Sequence, residues 1–333
     1  MTDRPRRLEA PHRRLESTPP RAVEKLAVVG YRSSAAILGF VPPAVSRAVI
    51  ATASQLSYLA WPAKRHAVDA NFAHVLGVSP DDRRVRRLAL RAYREYARYM
   101  VELMRLPSRP REELVDAVEG DGVDRVAALW RESGRAMIVV AAHVGNNEAV
   151  GAAIADRGYP ASVIADDSSF PELFELLRRQ RETWGVRLIP WRNLRDLYAV
   201  LKRREILALL VDWGYRPDGI PVRLFDAWTT LPAGPATLAA KTGALIAPLA
   251  IHRAPSGRFR IEALDPFTVD ASDPASLQRA TQRIADALEA TIGAAPAQWY
   301  SFKPMWPDDP AEQHVLERRA AAMLADHPAG ATS

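Results

Sequence analysis

Residues 136–154 read AMIVVAAHVGNNEAVGAAI: an unbroken apolar run ends at His143, and Glu148 follows five positions later. The segment 137–142 is short, rich in β-branched residues and free of charge, which predicts a strand buried on both faces. The small residues of 147–154 predict the start of a helix. His143 then falls at the carboxyl end of a strand, and in open α/β sheets the ligand crevice lies outside those ends. Positions i and i+5 lie far apart around a continuous helix, so His143 and Glu148 meet only with the histidine on the loop and the glutamate on the first turn. A carboxylate bonded to one ring nitrogen would fix the tautomer and leave the other nitrogen to take a proton from a hydroxyl. The purely structural reading makes His143 a satisfied polar residue closing the strand and Glu148 a first-turn acid favoured by the helix dipole. The H-x4-E spacing alone does not choose between the two.

Downstream the pattern alternates. Strand-like segments at 162–165, 186–190 and 206–211 are separated by helical ones at 170–183 and 194–203, a spacing that predicts βαβ units and a mainly parallel sheet. Further strands are expected at 222–225, 245–250 and 258–263. Pro232 and Gly234 open a small-residue helix running to Lys241, and helices are expected at 276–292 and 310–325. The run 209–212 repeats the first pattern, a buried strand ending in Asp212 beside Trp213, Gly214 and Tyr215. If the two strand ends share one edge of the sheet, Asp212 shares the crevice with His143. Otherwise it is a turn-forming aspartate.

Upstream, residues 1–22 alternate arginine, proline and short polar residues, the composition of a flexible basic arm. No apolar h-region follows, as a secretory signal would need. The stretch 23–63 is apolar but divided by Pro42-Pro43, and neither half reaches the about 20 apolar residues that span a bilayer. Two short helices are expected, with one face on the α/β domain and the other in the membrane interface. Residues 80–106 predict a long amphipathic helix capped by Ser79, Asp81 and Asp82 and stopped by Pro107. Val85, Leu88, Ala92, Tyr96, Tyr99 and Leu103 line one side of it, and Arg84, Arg87, Arg91, Arg94, Arg98 and Arg105 the other. An arginine stripe is usually a solvated face. This one is opposed mainly by Glu95 and Glu102, which suggests anionic lipid headgroups or a phosphate-bearing donor.

The fold class expected is therefore α/β, a mainly parallel central sheet flanked by helices, with an amino-terminal membrane-associated helical region. The divisions are a basic arm (1–22), an apolar helical region (23–75), an α/β domain (76–310) and a carboxy-terminal surface helix and tail (311–333). Among 333 residues there is no cysteine, which excludes disulfides, thiolate metal sites and a cysteine nucleophile. The net charge of +6 points to anionic partners. Nucleic acid is the least supported of them, because no zinc-finger spacing or base-stacking aromatic pattern is present. The seven histidines show no metal-ligand spacing.

Six short stretches in order carry a resemblance. His143-Val-Gly-Asn-Asn-Glu148, Arg181-Glu-Thr-Trp-Gly185, Asp212, Pro232-Ala-Gly-Pro-Ala236, Thr242-Gly-Ala-Leu-Ile-Ala-Pro248 and Pro296-Ala-Gln-Trp-Tyr300 are similar to the signature segments of one family. It comprises the bacterial membrane-associated acyltransferases of lipid A biosynthesis and of phosphatidylinositol mannosides. The H-x-G-N form and Leu-Pro-Ala-Gly-Pro-Ala are closer to the mannoside branch. Two departures stand out: Gly214 where the family often has a second acidic residue, and Phe225-Asp226 where it often has Phe-Gly. The resemblance implies transfer of a fatty acyl group from a thioester of coenzyme A or acyl carrier protein to a hydroxyl of a membrane glycolipid. The enzyme would be peripheral or monotopic at the cytoplasmic face of the cell membrane, with no cofactor or metal.

The residues fit that chemistry. A sugar hydroxyl needs a base, which His143 oriented by Glu148 would supply. A thioester is already activated, so no nucleophile elbow is needed. Arg181, Gly145 and Asn146 are candidates to hold the oxyanion or the donor. Asp212, Tyr215, Pro232 and Gly234 are candidates for substrate binding. A thioesterase, a lysophospholipid acyltransferase and a non-enzymatic membrane-surface protein stand as alternatives.

Overall fold

A computed structural model describes residues 21–105, 113, 116–166 and 170–326. The basic arm up to residue 20, Pro107 and the tail after residue 326 lie outside the described residues. Four helices precede the sheet: α1 (Arg21–Phe40), α2 (Pro43–Ala60), α3 (Pro62–Leu76) and α4 (Arg83–Arg105). Then follow α5 (Gly122–Ser133), β1 (Met137–Ala141), α6 (Asn147–Asp156), β2 (Ala161–Ala165), α7 (Pro171–Glu182), β3 (Arg187–Pro190), α8 (Leu194–Lys202) and β4 (Ile206–Leu210). The hairpin β5 (Ile220–Leu224) and β6 (Ala227–Leu231) leads into α9 (Gly234–Thr242). The chain closes with β7 (Leu245–Arg253), β8 (Phe259–Ala263), α10 (Pro274–Ala294) and α11 (Pro310–Ala325).

The main sheet has the order β3-β2-β4-β1-β7-β8, parallel except for β8. The mixed α/β architecture with a mostly parallel central sheet is thus the one expected. Strand β1 is central and buried along its whole length. Its side chains alternate between two cores: Ile138 and Val140 face one with α3, α4, α9 and α10, while Met137 and Val139 face the other with α5 and α6. A strand covered on both sides must be apolar at every position, which is why this stretch carries no alternation.

The hairpin was not fully foreseen: β6 was not expected. Its turn residues Phe225 and Asp226 have φ of 46° and 58°, the two left-handed positions of a tight hairpin. Phenylalanine gives little sign of such a turn. Phe225 is held there by its N–H, which donates to Glu289 Oε2 at 2.6 Å, and by packing on Trp306. Helices α3 and α5 were also not delineated beforehand.

Helix α4 begins three residues later than its sequence suggests, because Asp82 accepts from the N–H of Arg84 and marks the true start. Its buried face is Val85, Leu88, Ala89, Ala92, Tyr93, Ala97 and Val101. Tyr96 and Tyr99 sit lower on the same side and stack against Phe302 and Tyr300, at 4.8 and 5.2 Å between ring centroids. Helices α1 and α2 each have a packed and an exposed face. Leu38 and Tyr58 are buried against the domain, while Leu26, Val29, Ile37, Phe40, Val49, Leu56 and Trp61 are exposed. No described helix is long and apolar enough to cross a membrane.

Candidate active site

Strands β1 and β4 are parallel neighbours in register, Ala141 opposite Leu210, and Val211 N–H donates to Ala141 O. Both therefore end at the same edge, and this brings His143 and Asp212 together. The Asp212 carboxylate is fully buried and receives three donors: His143 Nδ1 at 2.7 Å, the His143 backbone N–H at 2.9 Å and Trp299 Nε1 at 2.8 Å. A carboxylate only accepts, so Nδ1 carries the proton and Nε2 of the neutral ring is left with its lone pair. The imidazole keeps 28% of its side-chain surface exposed.

Burial pushes the His143 pKa down, but the charge and hydrogen bond of Asp212 outweigh it, and the net direction is up. Burial likewise raises Asp212, yet the His143 charge and the three donors bring it below the usual carboxylate range. A buried carboxylate is costly without such partners.

The expected pairing of His143 with Glu148 is therefore corrected. Glu148 does stand on the first turn of α6, as the sequence indicated, but its carboxylate is taken by Arg181. Arg181 Nε donates to Glu148 Oε2 at 2.8 Å and Nη2 donates to Oε1. Both side chains are nearly buried, 14% and 16% exposed. The R-x3-G spacing explains this placement. Gly185, at φ 81°, ends α7 in the left-handed conformation, and Val186 N–H turns back to Arg181 O, so the last turn of α7 faces the first turn of α6. Arg181 is thus held by a carboxylate and is not a free oxyanion donor.

Gly145 and Asn146 shape the loop instead of donating from it. Gly145 has φ 69°, its N–H donates to Gln298 O, and a Cβ there would lie 2.8 Å from Ile251 O. Asn146 is buried and caps α6 by accepting from Ala149 N–H at 3.1 Å, while its Nδ2 donates to Glu102 Oε2. The N–H groups of Asn147 and Glu148 in the first turn have no partner among the described residues, the usual condition of a helix start.

Of the expected substrate contacts, Asp212 is the imidazole's partner. Tyr215 is committed to α11, its hydroxyl donating to Glu312 at 2.7 Å. Pro232 and Gly234 lie at the start of α9, outside this network. Trp213 is half-exposed and its ring lies 5.7 Å from that of His143, with Lys303 Nζ 4.3 Å over it. Gly214, where the family often has an acid, has φ 111° and a Cβ there would meet Lys303, which disfavours any side chain.

The residues missed by sequence reasoning are Trp299, Tyr300, Tyr99 and Glu102. The segment 298–300 pairs with the His143 loop: Tyr300 N–H donates to His143 O at 2.8 Å, and Val144 bridges Trp299. The motif spanning Trp299 and Tyr300 was noticed, but nothing in a linear string indicates that it folds back 87 residues onto Asp212. Among the described residues no cluster of acidic and histidine side chains could hold a metal ion.

The arginine stripe of α4 divides. Arg84 pairs with Asp82, and Arg87, Arg91 and Arg94 are exposed. Arg98 is turned inward, 3.4 Å from Glu102. It belongs to a buried network rather than to an open surface.

The chain is 26% identical over 300 residues to the phosphatidylinositol mannoside acyltransferase of Mycolicibacterium smegmatis, covering 88% of this chain and 94% of that protein. Two phosphatidylinositol mannoside acyltransferases of Mycobacterium tuberculosis are 27% and 28% identical over 263 residues, 75% of this chain and 79% of theirs. The family model of the bacterial lipid A biosynthesis acyltransferases matches residues 22–307. A match over that span leaves only residues 1–21 and the segment from residue 308 on, α11 included, outside it, and the chain belongs to this family of acyltransferases.

Proposed function

We propose that this acyltransferase moves a fatty acyl group from an acyl thioester, of coenzyme A or acyl carrier protein, to a hydroxyl of a phosphatidylinositol mannoside-like glycolipid. The observation that carries the mechanism is the orientation of His143 by the buried Asp212 carboxylate, with Nε2 left free to accept a proton. In this reading Nε2 takes the proton of the acceptor hydroxyl as its oxygen bonds to the thioester carbonyl carbon. Asp212 stabilises the imidazolium that forms. The tetrahedral intermediate then expels the thiolate, which recovers the proton from His143. In this reading the N–H groups of Asn147 and Glu148, at the positive end of α6, would stabilise the oxyanion. The Glu148–Arg181 pair ties the first turn of α6 to the last turn of α7 beside this loop.

The mannoside acceptor is supported by the names of the three curated relatives. Membrane association, which we place at the cytoplasmic face as part of the same proposal, is supported by the exposed apolar face of α1 and α2 and by Arg84, Arg87 and Arg91 on α4. Helix α1 also packs beside the crevice. Tyr31 donates to Gln180 on α7 at 3.0 Å, and the charges of Arg181 and Glu148 reach its phenol. A lipid acceptor held by that face would need to travel little to meet His143.

The test is acyl transfer by the purified protein, with palmitoyl-coenzyme A or palmitoyl carrier protein as donor and phosphatidylinositol mannoside in vesicles, read by mass spectrometry. An acylated glycolipid is expected, and His143→Ala should lower its formation by about 10²-fold or more. Release of free fatty acid that added glycolipid does not reduce would make the protein a thioesterase. Acylation of lysophospholipid alone would move the acceptor to the glycerophosphate class.

A further inference from the structure

Helices α2 and α4 pack along one another, yet between them lies a cavity of 560 Å³. It exists because α2 contributes Ala48, Ala51 and Thr52, which are too short to fill the gap. Apart from Gln55 of α2, the remaining lining is charged. Arg47 comes from α2, and Arg94, Glu95 and Arg98 come from α4, three guanidinium groups against one carboxylate. Arg47 and Arg94 are exposed and have no ion-pair partner among the described residues.

The floor is under-satisfied. Glu95 Oε2, Arg98 Nε and Arg253 Nε are buried with no hydrogen-bond partner among the described residues. Arg253, 6% exposed, stands 3.9 Å from Glu95 and donates to Glu102 Oε2 at 2.6 Å. Four arginines thus converge on two glutamates, Glu95 and Glu102. The two buried arginines, Arg98 and Arg253, are matched by Glu95 and Glu102, so the surplus positive charge lies at the exposed rim with Arg47 and Arg94, where it favours an anion. Burial and the neighbouring Arg253 lower the Arg98 pKa, against the charges of Glu102 and Glu95, which raise it.

We propose that this cleft is a binding site for a phosphate ester, separate from the catalytic crevice, since none of His143, Glu148, Arg181 or Asp212 lines it. A phosphate presents several oxygens to several guanidinium forks, which a single carboxylate does not. Its charge would match the surplus of the cluster. Val45 and Val49, exposed on the same helix α2, would adjoin an apolar tail and favour a lipid headgroup. The phosphates of a nucleotide-bearing donor offer the same chemistry. Occupation would be felt at the active-site loop, because Arg98 contacts Glu102 and Glu102 accepts from Asn146, the cap of α6.

The test uses the full chain and reads binding, not acyl transfer, so it is independent of the proposed reaction. Arg47→Gln with Arg94→Gln is compared with a charge-matched pair, Arg195→Gln with Arg318→Gln, both exposed and remote in the chain. The probes are phosphatidylcholine vesicles with and without phosphatidylglycerol, and adenosine 3′,5′-bisphosphate by calorimetry. Circular dichroism melts confirm that every variant folds. The cleft pair should weaken binding of one probe by about tenfold or more, while the charge-matched pair changes it less than about threefold. Loss confined to the vesicles identifies a lipid headgroup, and loss confined to the bisphosphate identifies a nucleotide phosphate. Equal losses in the two pairs, no loss in the cleft pair, or a wild-type protein that binds neither probe would overturn the proposal.

Discussion

The Nδ1 contact of His143 with Asp212 has a kinetic consequence. Asp212 favours the imidazolium, so the folded pKa lies above the ordinary histidine value of about 6.5. Only the neutral ring can take a proton, and activity should therefore rise with pH through an apparent pKa above that value. Asp212→Asn removes the negative charge while keeping a polar side chain of the same size. Two effects should follow: kcat/KM falls by about 10²–10⁴-fold, and the ascending limb of the profile moves to lower pH. A fall in rate with the limb unmoved would show that Asp212 does not set the state of this imidazole. Trp299 belongs to the same cluster, since its indole N–H fills the carboxylate's other oxygen and leaves Asp212 a single orientation.

At the scale of elements, the junction between β1 and α6 decides whether these side chains meet. Gly145 makes the turn with φ 69° and lies against Ile251 O, so no Cβ fits. Gly145→Ala should cost about 1–3 kcal/mol in a denaturant melt, from left-handed strain together with the clash. Gly234→Ala is the contrast. It sits at the start of α9 with open space around its Cβ position and no positive φ, and alanine there should be neutral or stabilising by about 0.4–1 kcal/mol. A similar loss in both variants would remove the special status of Gly145. Elements also carried the legible part of the fold. The charge-free run of β1 and the alternating apolar and amphipathic segments from β2 to β4 are local patterns, and they matched the structure within a residue or two. The hairpin escaped because Phe225 occupies its turn, where glycine or asparagine would have announced it.

For the molecule as a whole, the amino-terminal helices join site and surface. One face of α1 and α2 is bound to the domain, with Arg105 donating to Leu38 O and Val41 O at 2.6 and 2.8 Å, and Gln55 donating to Leu90 O at 2.9 Å. The other presents Leu26 and Phe40 at 72% and 92% exposure. Leu26→Glu with Phe40→Glu should weaken vesicle binding by about tenfold or more, since burying each such side chain is worth about 1.5–3 kcal/mol. Stability should change by no more than about 0.5 kcal/mol per site, because neither residue packs on the domain. Unaltered vesicle sedimentation would take the membrane role away from this face.

The sequence by itself determined most of the strands and helices, though not β6, α3 or α5, and with them the placement of His143 at a strand end and the family, because each depends on periodicity or on short motifs read within a window. It also placed Asp212 at a second strand end. Which carboxylate the imidazole holds was decided only by tertiary structure. Two parallel strands whose paired positions lie 69 residues apart in the chain come into register side by side, and that register puts Asp212 on Nδ1. Glu148, though nearer along the chain, is drawn away by Arg181 because the end of α7 packs against the start of α6. Closeness in sequence set the expectation, and charge pairing across the folded core settled the partners.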